Sequence, residues 1–121
     1  MRFMLLIYNN PATVETLSEQ ERTELFGEVD ALIAELTESG EFVGGEALAH
    51  ASTATTIRRS EGAVAATDGP FAEAKEQFAG YVAVDCESEE RAVEIARRWP
   101  ASPSGGAIEV RAVMDQAGTE M

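Results

Sequence analysis

The run Phe3-Met4-Leu5-Leu6-Ile7-Tyr8 is apolar at every position and stops at Asn9-Asn10-Pro11. A segment this short, bounded by turn residues, reads as a strand rather than a helix. Successive strand side chains point to opposite faces, so this strand offers apolar surface on both of them. Any sheet that contains it must be covered twice, and no other feature restricts the fold as much.

The elements that follow supply one of the two covers. Ser18, with Glu21 three residues on, has the pattern of a capping box. Leu25, Val29, Leu32 and Leu36, joined by Phe26 and Ile33, then recur at helical spacing up to Gly40, a natural end residue, which predicts a helix from about Glu19 to Ser39. Glu41 to Leu48 opens as a strand at Phe42-Val43 and loosens at Gly44-Gly45. Thr55–Arg59 and Ala63–Thr67 pair across Ser60-Glu61-Gly62 as a hairpin. Phe78–Cys86 is a strand with Gly80, Val82, Val84 and Cys86 on one face and Tyr81, Ala83 and Asp85 on the other. Ser88 caps a second helix, whose Ala92, Ile95, Ala96 and Trp99 share a face and which Pro100 ends. Ser102–Gly106 reads as a loop and Ile108–Val113 as the last strand.

This order is a split βαβ arrangement with an inserted β-hairpin, a ferredoxin-like α+β fold. A chain of 121 residues holds one such domain, expected over residues 1–114, with 115–121 as a frayed tail. Two helices cover one face of the sheet. The apolar residues of the other face, drawn from Met4, Leu6, Tyr8 or their neighbours, predict a homodimer packed sheet to sheet.

Nine Lys and Arg against 22 Asp and Glu leave a net charge of −13, which repels phosphate backbones and anionic lipid head groups. Neither a nucleic acid nor a membrane is expected as a partner, and no run approaches the roughly 18 apolar residues of a membrane span. Cys86 is the single cysteine, so an internal disulfide is impossible and a reducing, cytoplasmic setting is expected. Its apolar strand neighbours mark it as core, with a raised thiol pKa. One histidine, one cysteine and scattered carboxylates lack metal-ligand spacing. Neither a glycine-rich phosphate loop nor a dinucleotide fingerprint appears, so neither metal nor cofactor is expected.

The candidate site gathers around Thr67–Gln77. Asp68-Gly69-Pro70 is strong turn chemistry, and Asp68 is either the cap of that turn or a catalytic or substrate-positioning carboxylate. His50, the only imidazole, is either a lone loop residue or a general acid/base, and a dyad with Asp68 is the catalytic expectation. Arg58, Arg59 and Lys75 are candidates to hold an anionic ligand, although Lys75 also fits a solvated mixed-charge run with Glu73, Glu76 and Gln77. Tyr8 and Tyr81 are candidates to line a cavity between sheets, and Phe71 is grouped with the ligand-binding residues.

Thr67–Gln77, together with Met4–Tyr8, Phe42–Glu46, Thr53–Arg58, Gly80-Tyr81 and Ile108–Arg111, resembles the YCII-related family and in particular its DGPF-domain branch, over about residues 1 to 113. The resemblance implies a dimeric α+β barrel, in which two ferredoxin-like sheets close face to face. It places Asp68 at the family's acidic position. The histidine that the YCII branch pairs with it has no counterpart in Glu19–Ser39. Two functions follow as expectations: a small organic molecule bound in a cleft near Asp68 with cofactor-free acid/base chemistry of lyase or isomerase type, or a ligand-sensing, partner-binding module without catalysis. The second is implied by the likeness to domains found beside sigma-factor-like regulators.

Overall fold

The computed structural model describes residues 1–72, 74–100 and 105–115. Its elements are β1 (Arg2–Asn9), α1 (Pro11–Val14), α2 (Glu19–Ser39), β2 (Phe42–Ala47), a 3-10 turn at Ala51–Thr53, β3 (Thr55–Ser60), β4 (Ala63–Asp68), β5 (Gln77–Asp85), α3 (Glu89–Arg98) and β6 (Ala107–Ala112). The strands β2-β5-β1-β6 form one antiparallel sheet in that order, and β3-β4 form a separate two-stranded sheet. This is the ferredoxin-like α+β arrangement with an inserted hairpin. The expected frayed tail lies outside the described residues apart from Asp115, as do residues 102–104 of the expected loop.

Each helix begins and ends where its caps require. The Ser18 hydroxyl accepts from the Glu21 N–H while the Glu21 carboxylate accepts from the Ser18 N–H, and Gly40 closes α2 at φ 81°. At α3 the Ser88 hydroxyl accepts from the Arg91 N–H, and the chain leaves the helix at Trp99, before Pro100. One short helix goes beyond the sequence reading. In α1 the side chain of Asn10 accepts from the Ala12 N–H, and Pro11 stands at the first helical position.

The core lies between the helices and one face of the sheet. Phe3 and Leu5 from β1, Val82, Val84 and Cys86 from β5 and its end, Leu32 and Leu36 from α2, and Ala92 and Ile95 from α3 are buried. Burial raises the Cys86 thiol pKa, in keeping with a packing role. The first two turns of α2 run past this core, so Phe26 is 60% exposed although it fits the helix's apolar spacing. The other sheet face carries Met4, Leu6, Tyr8, Tyr81 and Ala83, all half-buried and on the side away from the core that the described helices pack against.

A partly buried ion pair ties the two helical units together. Arg91 at the start of α3 donates to both carboxylate oxygens of Glu41, each at 2.8 Å, and the Ser39 hydroxyl adds a third bond at 2.9 Å. The Arg91 guanidinium holds the Glu41 carboxyl at about 2, below its ordinary 4.5. A folded-state pKa below the unfolded value stabilises the fold fully above about pH 4.5, and that contribution is lost as the pH falls toward 2. Glu41→Gln should therefore cost about 2 kcal/mol at pH 7 and almost nothing near pH 2, discounting for the pair's residual exposure. Urea unfolding midpoints at the two pH values check it; an equal loss at both assigns the residue a packing role alone.

Candidate functional site

The hairpin turn is Glu61-Gly62, with φ 49° and 83°, the left-handed pair that a two-residue antiparallel turn demands. Beyond β4 the chain is pinned by backbone contacts. The Gly69 N–H donates to the Ala54 carbonyl at 2.7 Å, and the Thr56 hydroxyl donates to the Gly69 carbonyl at 2.8 Å. Gln77 then gathers the end of the loop, its side-chain amide donating to the carbonyls of Ala72 and Ala74, both at 2.8 Å. Pro70, Phe71, Ala72, Ala74 and Glu76 thus form a wall facing the Leu48–Thr56 segment.

The floor comes from a slip in the β1–β5 register between Ile7 and Tyr8. Gly80 shares the core face with Ile7, and simple alternation would send Phe78 the same way. The extra residue, Ala79, turns Phe78 to the open face beside Tyr8 instead. The two rings meet edge to face with centroids 5.6 Å apart. Tyr8, Phe78, Leu48, Thr56 and Phe71 line a cleft of about 610 Å³. The Arg58 guanidinium stacks 4.6 Å from the centroid of the Phe71 ring, which is 71% exposed.

His50 stands on the ridge between this cleft and a second depression of about 770 Å³, which is lined by Asn10, Glu15, Ser52 and Lys75. The 3-10 turn fixes the ring. His50 caps it, and Nδ1 accepts the Ser52 backbone N–H at 3.1 Å. An acceptor Nδ1 carries no proton, so the Ser52 hydroxyl, 2.8 Å away, can stand toward it only as a donor that shares its one lone pair with the backbone N–H. The proton of the neutral ring then sits on Nε2, which donates to Glu15 Oε1 at 2.7 Å.

The expected residues are therefore scattered over several places. Tyr8, Phe71 and His50 line the aromatic cleft, and Lys75 lines the depression across the ridge. Arg58 touches Phe71 from beside the cleft. Tyr81 pairs with Leu6 and Glu46 on the open sheet face and lines neither cavity.

Asp68 is exposed at the end of β4 and its carboxylate accepts no hydrogen bond from any described residue, so the turn after it is held by Gly69 and Thr56 instead. Strand alternation explains its position. Asp68 shares a hairpin face with Thr55, Ile57 and Ala66, while Thr56 and Arg58 belong to the opposite one. The carboxylate that reaches His50 is Glu15, not Asp68. Glu15 and Ser52 were not among the sequence candidates; Asn10-Pro11 is the local signal for the turn that presents Glu15, but nothing in the sequence ties position 15 to position 50.

Among the described residues no helix is long and apolar enough to cross a membrane. Residues 1–117 match the YCII-related domain. The chain is also similar to an uncharacterized protein of Rhizobium meliloti (strain 1021), 34% identical over 112 residues, which make up 92% of this chain and 90% of that protein.

Proposed function

The chain belongs to the YCII-related domain family, and on that footing we propose that it binds a small organic molecule with a flat apolar body in the cleft between Pro70–Ala72, Ala74 and the His50 turn. The observation that carries this reading is the convergence of Tyr8, Phe71, Phe78 and His50 on one cavity of about 610 Å³, a size and composition suited to a small ligand. His50 is the proton-transfer group, oriented by Glu15. Asp68 is assigned a secondary role as a free carboxylate at the hairpin end beside Pro70. Two copies pack through Met4, Leu6, Tyr8, Tyr81 and Ala83, which stand half-buried on the side away from the core that the described helices pack against. That pairing encloses the open side of the cleft, whose floor residue Tyr8 belongs to the same face.

A binding role without turnover has one specific observation in its favour. Both ring nitrogens of His50 are already engaged, Nδ1 by Ser52 and Nε2 by Glu15. Titration with benzoate, followed by amide NMR, should shift residues 48–56 and 69–78, and Phe71→Ala should weaken binding about tenfold for the loss of one aromatic contact. His50→Gln and Asp68→Asn should leave that binding within about threefold, because neither side chain supplies the apolar contact area. Sedimentation of the same samples at micromolar concentration should report a dimer. Shifts confined to the apolar groove that Leu25, Phe26 and Val29 of α2 form with Val93 and Ala96 of α3, or a monomer with no shifts at the cleft, overturn the proposal.

A further inference from the structure

Three side chains from two distant segments lie in line on the ridge: Ser52 Oγ is 2.8 Å from His50 Nδ1, and His50 Nε2 is 2.7 Å from Glu15 Oε1. This is the order hydroxyl, imidazole, carboxylate that activates a nucleophile, with the base held at its second nitrogen by an acidic partner. The ring's two nitrogens have exchanged their usual partners, which leaves the proton path unchanged. Ser52 is exposed, so a substrate can reach its hydroxyl. The depression it lines also contains Lys75 and Asn10, and among the described residues Lys75 forms no ion pair. The aromatic cleft lies just across His50, and the two cavities share Ala51, Pro70, Ala74 and Gln77.

We infer that Ser52 is a nucleophile and that the site transfers or hydrolyses the acyl group of a small aryl ester, with the aromatic part seated against Tyr8 and Phe71 and the carbonyl over Ser52. This inference rests on the reading of the aromatic cleft as a ligand site. Ser52 Oγ bonds to the carbonyl carbon while its proton passes to His50 Nδ1, and the imidazolium so formed keeps its Nε2–H on Glu15. The Ser52 backbone N–H releases Nδ1 for as long as that nitrogen carries the proton. Lys75 and Asn10 line the same depression as Ser52, and their ammonium and side-chain amide are the donors available to the developing oxyanion. Collapse breaks the bond from the carbonyl carbon to the aryloxide, which takes the proton from Nδ1. Water, deprotonated by the same nitrogen, then attacks the acyl-serine and frees the acid and the Ser52 hydroxyl.

The test uses the intact chain with a fluorophosphonate probe and 4-nitrophenyl acetate. Peptide mass spectrometry should place the label on Ser52, and His50→Gln should abolish labelling. Ser52→Ala should lower ester hydrolysis at least ~100-fold, and Glu15→Gln about 10-fold or more with a displaced pH profile, as expected for a residue that acts through His50. Thermal unfolding of the three variants near that of the parent confirms that the chemistry, not the fold, was removed. A label elsewhere, no label, or hydrolysis unchanged in Ser52→Ala overturns the inference. Benzoate shifts at the cleft in Ser52→Ala separate the two readings: if they persist while labelling fails, only the nucleophile falls, and if both fail the cleft reading falls with it.

Discussion

Gly80→Ala is expected to cost about 3–5 kcal/mol of unfolding free energy, a large share of what a domain of this size possesses. A Cβ built on Gly80 meets the Glu46 carbonyl oxygen at 2.5 Å and the Ala47 Cα at 3.1 Å, and φ is +158°. Both obstacles are backbone, so no side chain can rotate away. Nor can the strands separate: β5 is paired on its two sides, with β1 through Ile7 and with β2 through Ala47 at this residue. Gly27→Ala supplies the contrast. An added Cβ there has nothing within 4 Å and lies inside α2, so the same change should stabilise by about 1 kcal/mol. Urea denaturation of the two variants reads the difference, and equal effects would mean that β2 and β5 lie further apart than described.

Phe3→Ala should be comparably damaging, about 3–5 kcal/mol, whereas Phe3→Leu should cost about 1–2. Phe3 is 2% exposed on β1, a central strand, and belongs to one cluster with Leu36 and Ile95 from the two helices. Removing the ring leaves a void bounded by both helices and the sheet, and an interior packed to native density closes such a void only in part. The fall in the urea midpoint measures it. A loss below 1 kcal/mol for Phe3→Ala would show that the layers collapse together and that the core is less rigid than its burial implies.

Much of the fold is legible because its signals are local. Ser18 with Glu21, Gly40, Ser88 and Pro100 bound the two long helices through hydrogen bonds and steric limits that act within a few residues of chain, and Glu61-Gly62 closes the hairpin by the same kind of short-range preference. Alternation along β5 correctly puts Val82 and Val84 inward and Tyr81 outward. Periodicity is a weaker guide to Phe26, since helical spacing gives a face but not whether a sheet extends beneath it.

The candidate site divides differently. His50, Tyr8, Phe71 and Lys75 stand out in sequence by residue type and meet around one ridge. Glu15 and Ser52 do not stand out, because a carboxylate among 22 and a serine in a loop carry no mark of their role. Asp68 stands out for the opposite reason: its turn is conspicuous, yet pairing with Thr55 sets it on the hairpin face away from Thr56 and Arg58.

Residue order alone thus determined where the two long helices start and stop, the order of the six strands to within a residue or two at their ends, which strand faces are apolar, and that one sheet layer under two helices would leave its second face uncovered. Capping, turn and pleat energetics involve neighbours in the chain, so a linear reading reaches them. Only the tertiary structure decided that Ala79 bulges and turns Phe78 toward Tyr8, that Asp68 is separated from His50, and that Glu15 meets His50 across 35 positions of chain at 2.7 Å. Such contacts are fixed by how completed elements pack against one another, and that packing sums many long-range burial terms that no short stretch of sequence contains.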